Sequence, residues 1–252
     1  MSRGVLVTGA AAGLGRAVAL AFAERGDRVA VHYHSDRAAA EATLAVLPGD
    51  GHALAQGDLA TAATEIADSA EESLGGVDVL VNNAAVAPGP DNAHPVSGTG
   101  FEQWQQVWRQ MVEVNLLGTA DLTYRVARHM IARGVAGRIV HVGSRGAFRG
   151  EPDYPAYGAT KAALHAFGQS LAVSLAPHGI SVASVAPGFI ATDRVGHKLA
   201  GESGVELRAQ SPFGRVAEPR EIADAIVFLA EPGSTWASGA VLDLNGASHL
   251  RT

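Results

Sequence analysis

The chain has 252 residues with 19 basic and 25 acidic side chains, a net charge of -6, and 47% hydrophobic residues. That is enough apolar material for a large core, and too little cationic surface for a nucleic-acid footprint. Cysteine is absent, which excludes disulfides, thiolate catalysis and cysteine-held metals. Lysine occurs only at Lys161 and Lys198, every other basic residue being arginine.

No stretch approaches the roughly 18 uninterrupted apolar residues of a membrane span. The Ala/Val/Leu-rich start after Arg3 is broken by Gly9, Gly13, Gly15 and Arg16 and shows no clear cleavage site. It reads as part of a mature, cytoplasmic protein rather than a signal peptide.

In chain order, short β-branched runs alternate with Ala-rich amphipathic stretches. The predicted strands are Val5–Val7, Arg28–Tyr33, His52–Gln56, Val77–Val81, Arg138–Val142, Ser181–Val185 and Ala240–Leu244. The predicted helices are Ala17–Arg25, Ala38–Leu47, Thr61–Ser73, Gln103–Arg133, Ala156–Ala176 and Pro219–Leu229. Near-continuous apolar strands separated by helices predict a parallel sheet covered on both faces. The fold class is therefore α/β, a single doubly wound Rossmann domain spanning 1–252, with a seven-stranded parallel sheet and helices on both faces. Its cofactor half runs to about residue 143, and its catalytic and substrate-loop half from 144 onward.

Two long irregular segments interrupt the alternation. Ala85–Gly100 is rich in turn formers and ends in Thr99-x-x-Glu102, which predicts a capping box for the following helix. Pro187–Glu218 follows the sixth strand. Both fall beyond the carboxyl ends of strands, where open α/β sheets bind ligands, and read as lids or surface excursions.

The turn Thr8-Gly9-Ala-Ala-Ala-Gly13-Leu14-Gly15 joins the first strand to the first helix. Glycines there let backbone N–H groups and the helix N-terminus approach a diphosphate. The Gly-x-x-x-Gly-x-Gly spacing leaves a flavin or adenosylmethionine site open beside a dinucleotide.

Ser144 closes the fifth strand, and Tyr157-Gly-Ala-Thr-Lys161 opens a long helix. One turn apart, Tyr157 and Lys161 share a helix face. A nearby ammonium stabilises a phenolate and brings tyrosine toward working pH for acid–base chemistry. Ser144 then hydrogen-bonds and orients the substrate oxygen. Four tyrosines and two lysines in 252 residues give about 0.03 chance Tyr-x-x-x-Lys pairs.

With these residues the sequence resembles the short-chain dehydrogenase/reductase family over essentially its whole length. Further matches are Asp58-Leu59, Asn82-Asn83-Ala84-Ala85, Asn115 in Val-Asn-Leu-Leu-Gly, and Pro187-Gly188-Phe-Ile190-Ala-Thr192. The resemblance implies that Tyr157 is the general acid/base and that Ser144 polarises the carbonyl or alcohol. It gives Lys161 the nicotinamide ribose and Asn115 a water that relays protons. It places Asp58 and Leu59 at the adenine, Asn83, Ala84 and Ala85 along the cofactor cleft, and Pro187, Gly188, Ile190 and Thr192 on the nicotinamide side. It also implies a substrate lid in 187–218, a homotetramer or homodimer, and a small-molecule carbonyl or alcohol substrate; the charge balance and the lack of a long apolar stretch already predict no nucleic-acid or membrane partner. Members near 3-oxoacyl-carrier-protein reductases and sugar or polyol dehydrogenases look most similar. Arg128 fits a carrier-protein contact, whereas Val173 stands where a second arginine is expected.

Two departures concern structure rather than chemistry: Ala85 replaces a usual glycine, and the near-terminal Asp-Gly-Gly pattern reads Asn245-Gly246-Ala247. At the end of the second strand Tyr33 takes the position of the acidic residue that binds a ribose 2′-OH in NAD enzymes. His34, Ser35 and Arg37 suit a 2′-phosphate, and Asp36 reads as a helix N-cap. The basic residue of the glycine turn is missing, Ala12 standing there. The balance favours NADP(H), with NAD(H) the alternative. The ten histidines read as surface or loop residues with no metal site, Trp104 and Trp108 as packing or interface residues, and Lys198 as a solvated lid residue. A dinucleotide-binding regulator without turnover is the reading from another functional class.

Overall fold

The chain's structure, a computed structural model, describes residues 2–192 and 201–251. Its strands are β1 (Gly4–Val7), β2 (Arg28–Tyr33), β3 (Ala53–Gln56), β4 (Val79–Asn82), β5 (Arg138–Val142), β6 (Ser181–Pro187) and β7 (Val241–Leu244). All pair in parallel, in the order β3-β2-β1-β4-β5-β6-β7. The doubly wound sheet is thus the one predicted.

Side chains alternate across each strand, so one strand feeds two cores. Val5, Val7, Val29, Val31, Val79 and Val81 pack beneath α1 (Gly13–Ala23) and α9 (Pro219–Leu229). Leu6, Ala30, Leu80, Ile139 and Val182 face α3 (Leu59–Leu74) and α5 (Thr119–Arg133) on the other side. Burial on both faces explains why the strands are apolar without a polar–apolar alternation.

The remaining helices are α2 (Arg37–Leu44), α4 (Phe101–Val112), a single turn α6 (Gly146–Arg149), α7 (Pro155–Leu175) and α8 (Gly201–Ala209). Asp36 caps α2 as expected, accepting from the Ala39 N–H at 2.9 Å. The Thr99–Glu102 capping box does not form. Gly100 is the N-cap of α4 and has no side chain to offer, and Glu102 contributes only as a first-turn acid. The predicted helix 103–133 is also divided, because Glu113–Gly118 winds as a π-turn between α4 and α5. Gly118 is required there: a Cβ would lie 2.2 Å from the Leu59 carbonyl oxygen.

Candidate active site

The sheet order reverses between β1 and β4, which opens a crevice beyond their carboxyl ends. Into it runs the turn from β1 to α1. Gly9 and Gly13 adopt φ of +64° and +56°, and at Gly15 a Cβ would sit 2.2 Å from the Gly9 carbonyl oxygen. Helix α1 starts at Ala12 without a side-chain cap, so its first-turn N–H groups are left to an anion. Leu14 is buried under this turn.

The turn is held from three directions. The Thr8 hydroxyl accepts from the Asn83 and Ala84 N–H groups at 2.8 and 3.0 Å, and the Asn83 amide donates to the Thr8 carbonyl at 2.8 Å. This fixes Asn83 and Ala84 opposite the glycines, with Ala85 next along the same loop. From β2, buried His32 accepts the Gly9 N–H at Nδ1 (3.1 Å) and its Nε2–H donates to the Gly57 carbonyl (3.1 Å). That pattern requires a neutral ring, and burial lowers its pKa to about 4. Across the cleft, Thr192 lies against Gly13, its methyl 3.4 Å from where a Cβ would be. Ile190 bridges to Ala217, and the Gly188 N–H donates to Leu244 at 3.0 Å.

At the end of β2 Tyr33 is buried and donates to the Gln56 side chain at 3.2 Å. His34 and Ser35 are exposed. His34 is 3.9 Å from Asp58, which itself caps α3 through the Ala60 N–H at 3.0 Å; Leu59 behind it is buried. Arg37 pairs with Glu41 at 2.8 Å.

Tyr157 and Lys161 share one face of α7. The Lys161 Nζ is 5.7 Å from the Tyr157 ring centroid and donates to the Val142 carbonyl at 2.7 Å. Lys161 is buried, with no ion pair among the described residues, and desolvation lowers its pKa to about 8. Ser144 follows β5; its Oγ accepts from the Gly146 N–H at 3.0 Å.

Asn115 sits in the π-turn, buried. Its Oδ1 accepts the Val86 N–H at 2.7 Å, and its Nδ2 donates to the Val86 carbonyl at 3.2 Å and to Thr160 Oγ1 at 3.4 Å. Thr160 in turn donates to the Tyr157 carbonyl at 2.9 Å. The π-turn, the loop after β4 and the helix bearing Tyr157 are therefore one bonded unit.

Several histidines are buried, against the surface expectation: His32, His94, His141 and His165. His94 anchors the segment 85–100, its Nε2 accepting from the Ala156 N–H at 3.1 Å, beside Tyr157. His165, one turn after Lys161, packs so tightly under Gly143 that a Cβ there would fall 2.1 Å from its ring. The only sequence signal for His32 was its alternation with His34, and for His94 there was none. Among the described residues no cluster of metal ligands occurs. Trp104 and Trp108 pack on each other at 5.8 Å, as expected. Lys198 lies outside the described residues.

A family model described as enoyl-(acyl carrier protein) reductase matches residues 9–249. The chain is 35% identical over 246 residues to 3-oxoacyl-(acyl-carrier-protein) reductase FabG of Vibrio cholerae, covering 97% of this chain and 96% of that one. It is 35% identical over 251 residues to an L-rhamnose 1-dehydrogenase (NAD(P)(+)) of Sphingomonas sp., covering 98% and 96%. A short-chain dehydrogenase of Burkholderia cenocepacia, solved in complex with NADP, superposes with a TM-score of 0.86 at 29% identity over 98% of this chain and 97% of that one. With the parallel sheet, the glycine turn and the Ser144–Tyr157–Lys161 arrangement, these matches show that the chain belongs to the short-chain dehydrogenase/reductase family of NAD(P)-dependent oxidoreductases.

Proposed function

We propose that the chain moves hydride between a nicotinamide and a small carbonyl or alcohol substrate, with Tyr157 as general acid/base. The observation that carries this is the Lys161 ammonium, sunk beside the Tyr157 ring with a single backbone acceptor. Its other N–H groups remain for a ribose hydroxyl, and its charge favours the phenolate. Ser144 directs its hydroxyl proton to the substrate oxygen. Asn115 holds the relay water at the π-turn, through which protons reach Tyr157 and Lys161.

The residues fit a dinucleotide. The uncapped start of α1 and the left-handed glycines Gly9 and Gly13 receive the diphosphate. Asp58 and Leu59 border the adenine, Asn83, Ala84 and Ala85 the cleft, and Pro187, Gly188, Ile190 and Thr192 the nicotinamide side. When bound, the nicotinamide supplies or accepts the hydride. NADP(H) is the favoured form, because the end of β2 offers exposed His34 and Ser35 and no carboxylate on Tyr33; NAD(H) is the alternative.

A 3-oxoacyl-carrier-protein reductase and a sugar or polyol dehydrogenase are the two substrate readings. Exposed Arg128 supports the first, and exposed, apolar Val173 weakens it. Residues to about 143 form the cofactor half and those from 144 the catalytic and substrate half. A homotetramer or homodimer in the cytoplasm is the proposed state. Fully exposed Trp236 and exposed Leu242 of the edge strand β7 are surface that a second copy would cover.

Tyr157→Phe tests the reading. Turnover of a ketone, sugar and acyl-thioester panel should fall by roughly 10²-fold or more, while NADPH binding by fluorescence titration persists. Retained turnover refutes the mechanism. A wild-type chain that binds NADPH and turns over nothing points to a regulator instead, and tighter NADH than NADPH binding overturns the cofactor preference.

A further inference from the structure

Beyond the crevice, a second cavity of about 360 Å³ opens between the C-terminal segment, the end of α8 and the start of α9, and none of Asn115, Ser144, Tyr157 and Lys161 lines it. Its walls are largely apolar, from Phe189, Leu207, Val216 and Leu244, and Arg215 and Glu221, paired with each other at 2.6 Å, also line it. Into it reaches Arg145, the residue after Ser144. Arg145 is buried, yet it has no carboxylate within ion-pair distance among the described residues. Its guanidinium donates to neutral acceptors only, Ser248 Oγ and Gln210 Oε1, and lies 4.9 Å over the Phe189 ring. Arg149 donates to the same Gln210 oxygen at 3.1 Å, so two cations converge on one amide. Burial, the larger cause, and the Arg149 charge hold the Arg145 pKa below its usual value, with the Glu151 carboxylate acting in the opposite direction.

A buried cation without a counter-ion is costly, and a guanidinium meets a carboxylate with two parallel hydrogen bonds. Two of the five N–H donors of Arg145 are used, which leaves others for a ligand. A phosphate dianion would bring two negative charges into a cavity that already carries the Glu221 carboxylate in its lining, where a monocarboxylate brings one. We infer that this cavity binds an amphipathic monocarboxylate, its acid group on Arg145 and its hydrocarbon chain along Phe189, Leu207, Val216 and Leu244. Because Arg145 adjoins Ser144 and Gln210 follows α8, the bound anion would tie the end of β5 to the turn after α8.

Calorimetric titration of the full chain at pH 7.5 with hexanoate, hexanamide and hexyl phosphate tests this without any turnover. Hexanoate should bind saturably, at least tenfold more tightly than hexanamide and more tightly than hexyl phosphate. Arg145→Gln should lose at least tenfold in hexanoate affinity with an unchanged circular-dichroism spectrum. Val216→Phe, which keeps Arg145 and fills the apolar end, should weaken hexanoate more than it weakens acetate. Equal binding of hexanoate and hexanamide, tighter hexyl phosphate, no saturation, or a Val216→Phe chain with undiminished hexanoate affinity would each overturn the inference. None of these readings depends on Tyr157.

Discussion

Lowering the pH from 7.5 to 5 should strip much of this protein's stability, because three buried imidazoles must stay neutral in the native state. His32 titrates at about 4, His141 at about 3 and His165 at about 4, desolvation being the largest cause in each. For His32 the geometry agrees, since protonating Nδ1 would remove the acceptor of the Gly9 N–H. For His141, Nδ1 meets the Asn82 amide at 3.1 Å and Nε2 has no partner to which a charged ring could donate. Unfolded histidine titrates near 6.5, so in the window from 6.5 down to about 4 the unfolded chain binds protons that the folded chain refuses, and stability falls as pH falls. Between pH 7.5 and 5 each histidine therefore costs about 2 kcal/mol, or roughly 6 kcal/mol for the three. That is comparable with the whole stability of many domains, about 5 to 15 kcal/mol. Glu151 works in the opposite direction, because burial raises its pKa and its native form gains a proton in acid. Glu221, held at about 2 chiefly by its hydrogen bond from Arg215, adds to the loss as pH falls below about 5 and contributes little in the range assayed. Urea unfolding followed by circular dichroism at pH 7.5, 6 and 5 gives the slope. His32→Gln should reduce that slope by about a third. A midpoint unchanged between pH 7.5 and 5, or three histidine NMR signals titrating near 6.5, would refute the reasoning.

Other perturbations follow from single contacts. Thr8→Val removes the acceptor shared by the Asn83 and Ala84 N–H groups, and should cost about 1 to 3 kcal/mol of stability while weakening NADPH binding in a fluorescence titration. Gly118→Ala places a methyl 2.2 Å from the Leu59 carbonyl oxygen; with overpacking costs of about 1 to 3 kcal/mol, the variant should melt lower and turn over more slowly as the π-turn shifts. Ala247 is the one non-glycine with positive φ among the described residues, at 57°. Ala247→Gly should raise stability by roughly 0.5 to 1 kcal/mol, the relief of the left-handed strain exceeding the extra freedom of the unfolded chain, and an unchanged or lower melting temperature would count against that strain.

What could be seen in the sequence was what depends on near neighbours. Tyr157 and Lys161 are one helical turn apart, so their shared face follows from the spacing, and the bounds Pro219–Leu229 of α9 agree because proline at the first turn and an apolar stripe are local signals. The π-turn was invisible for the opposite reason. Its periodicity runs on through 113–118, and what rewinds the helix lies elsewhere: the Val86 backbone that holds the Asn115 amide, and the Leu59 carbonyl that Gly118 must clear. His32 follows the same rule. Its ring bonds to Gly9 and Gly57 arise only when β2 lies between β1 and β3, so a residue that looks like a stray polar group in an apolar strand becomes the post that holds the glycine turn. The residues proposed to carry protons are thus written locally, and the contacts that hold them in place are written by the sheet order. Fine positioning of Gly9, Ser144 and Tyr157 is accordingly sensitive to substitutions such as those at His32, Thr8 and Gly118, which lie outside the residues proposed to carry the chemistry.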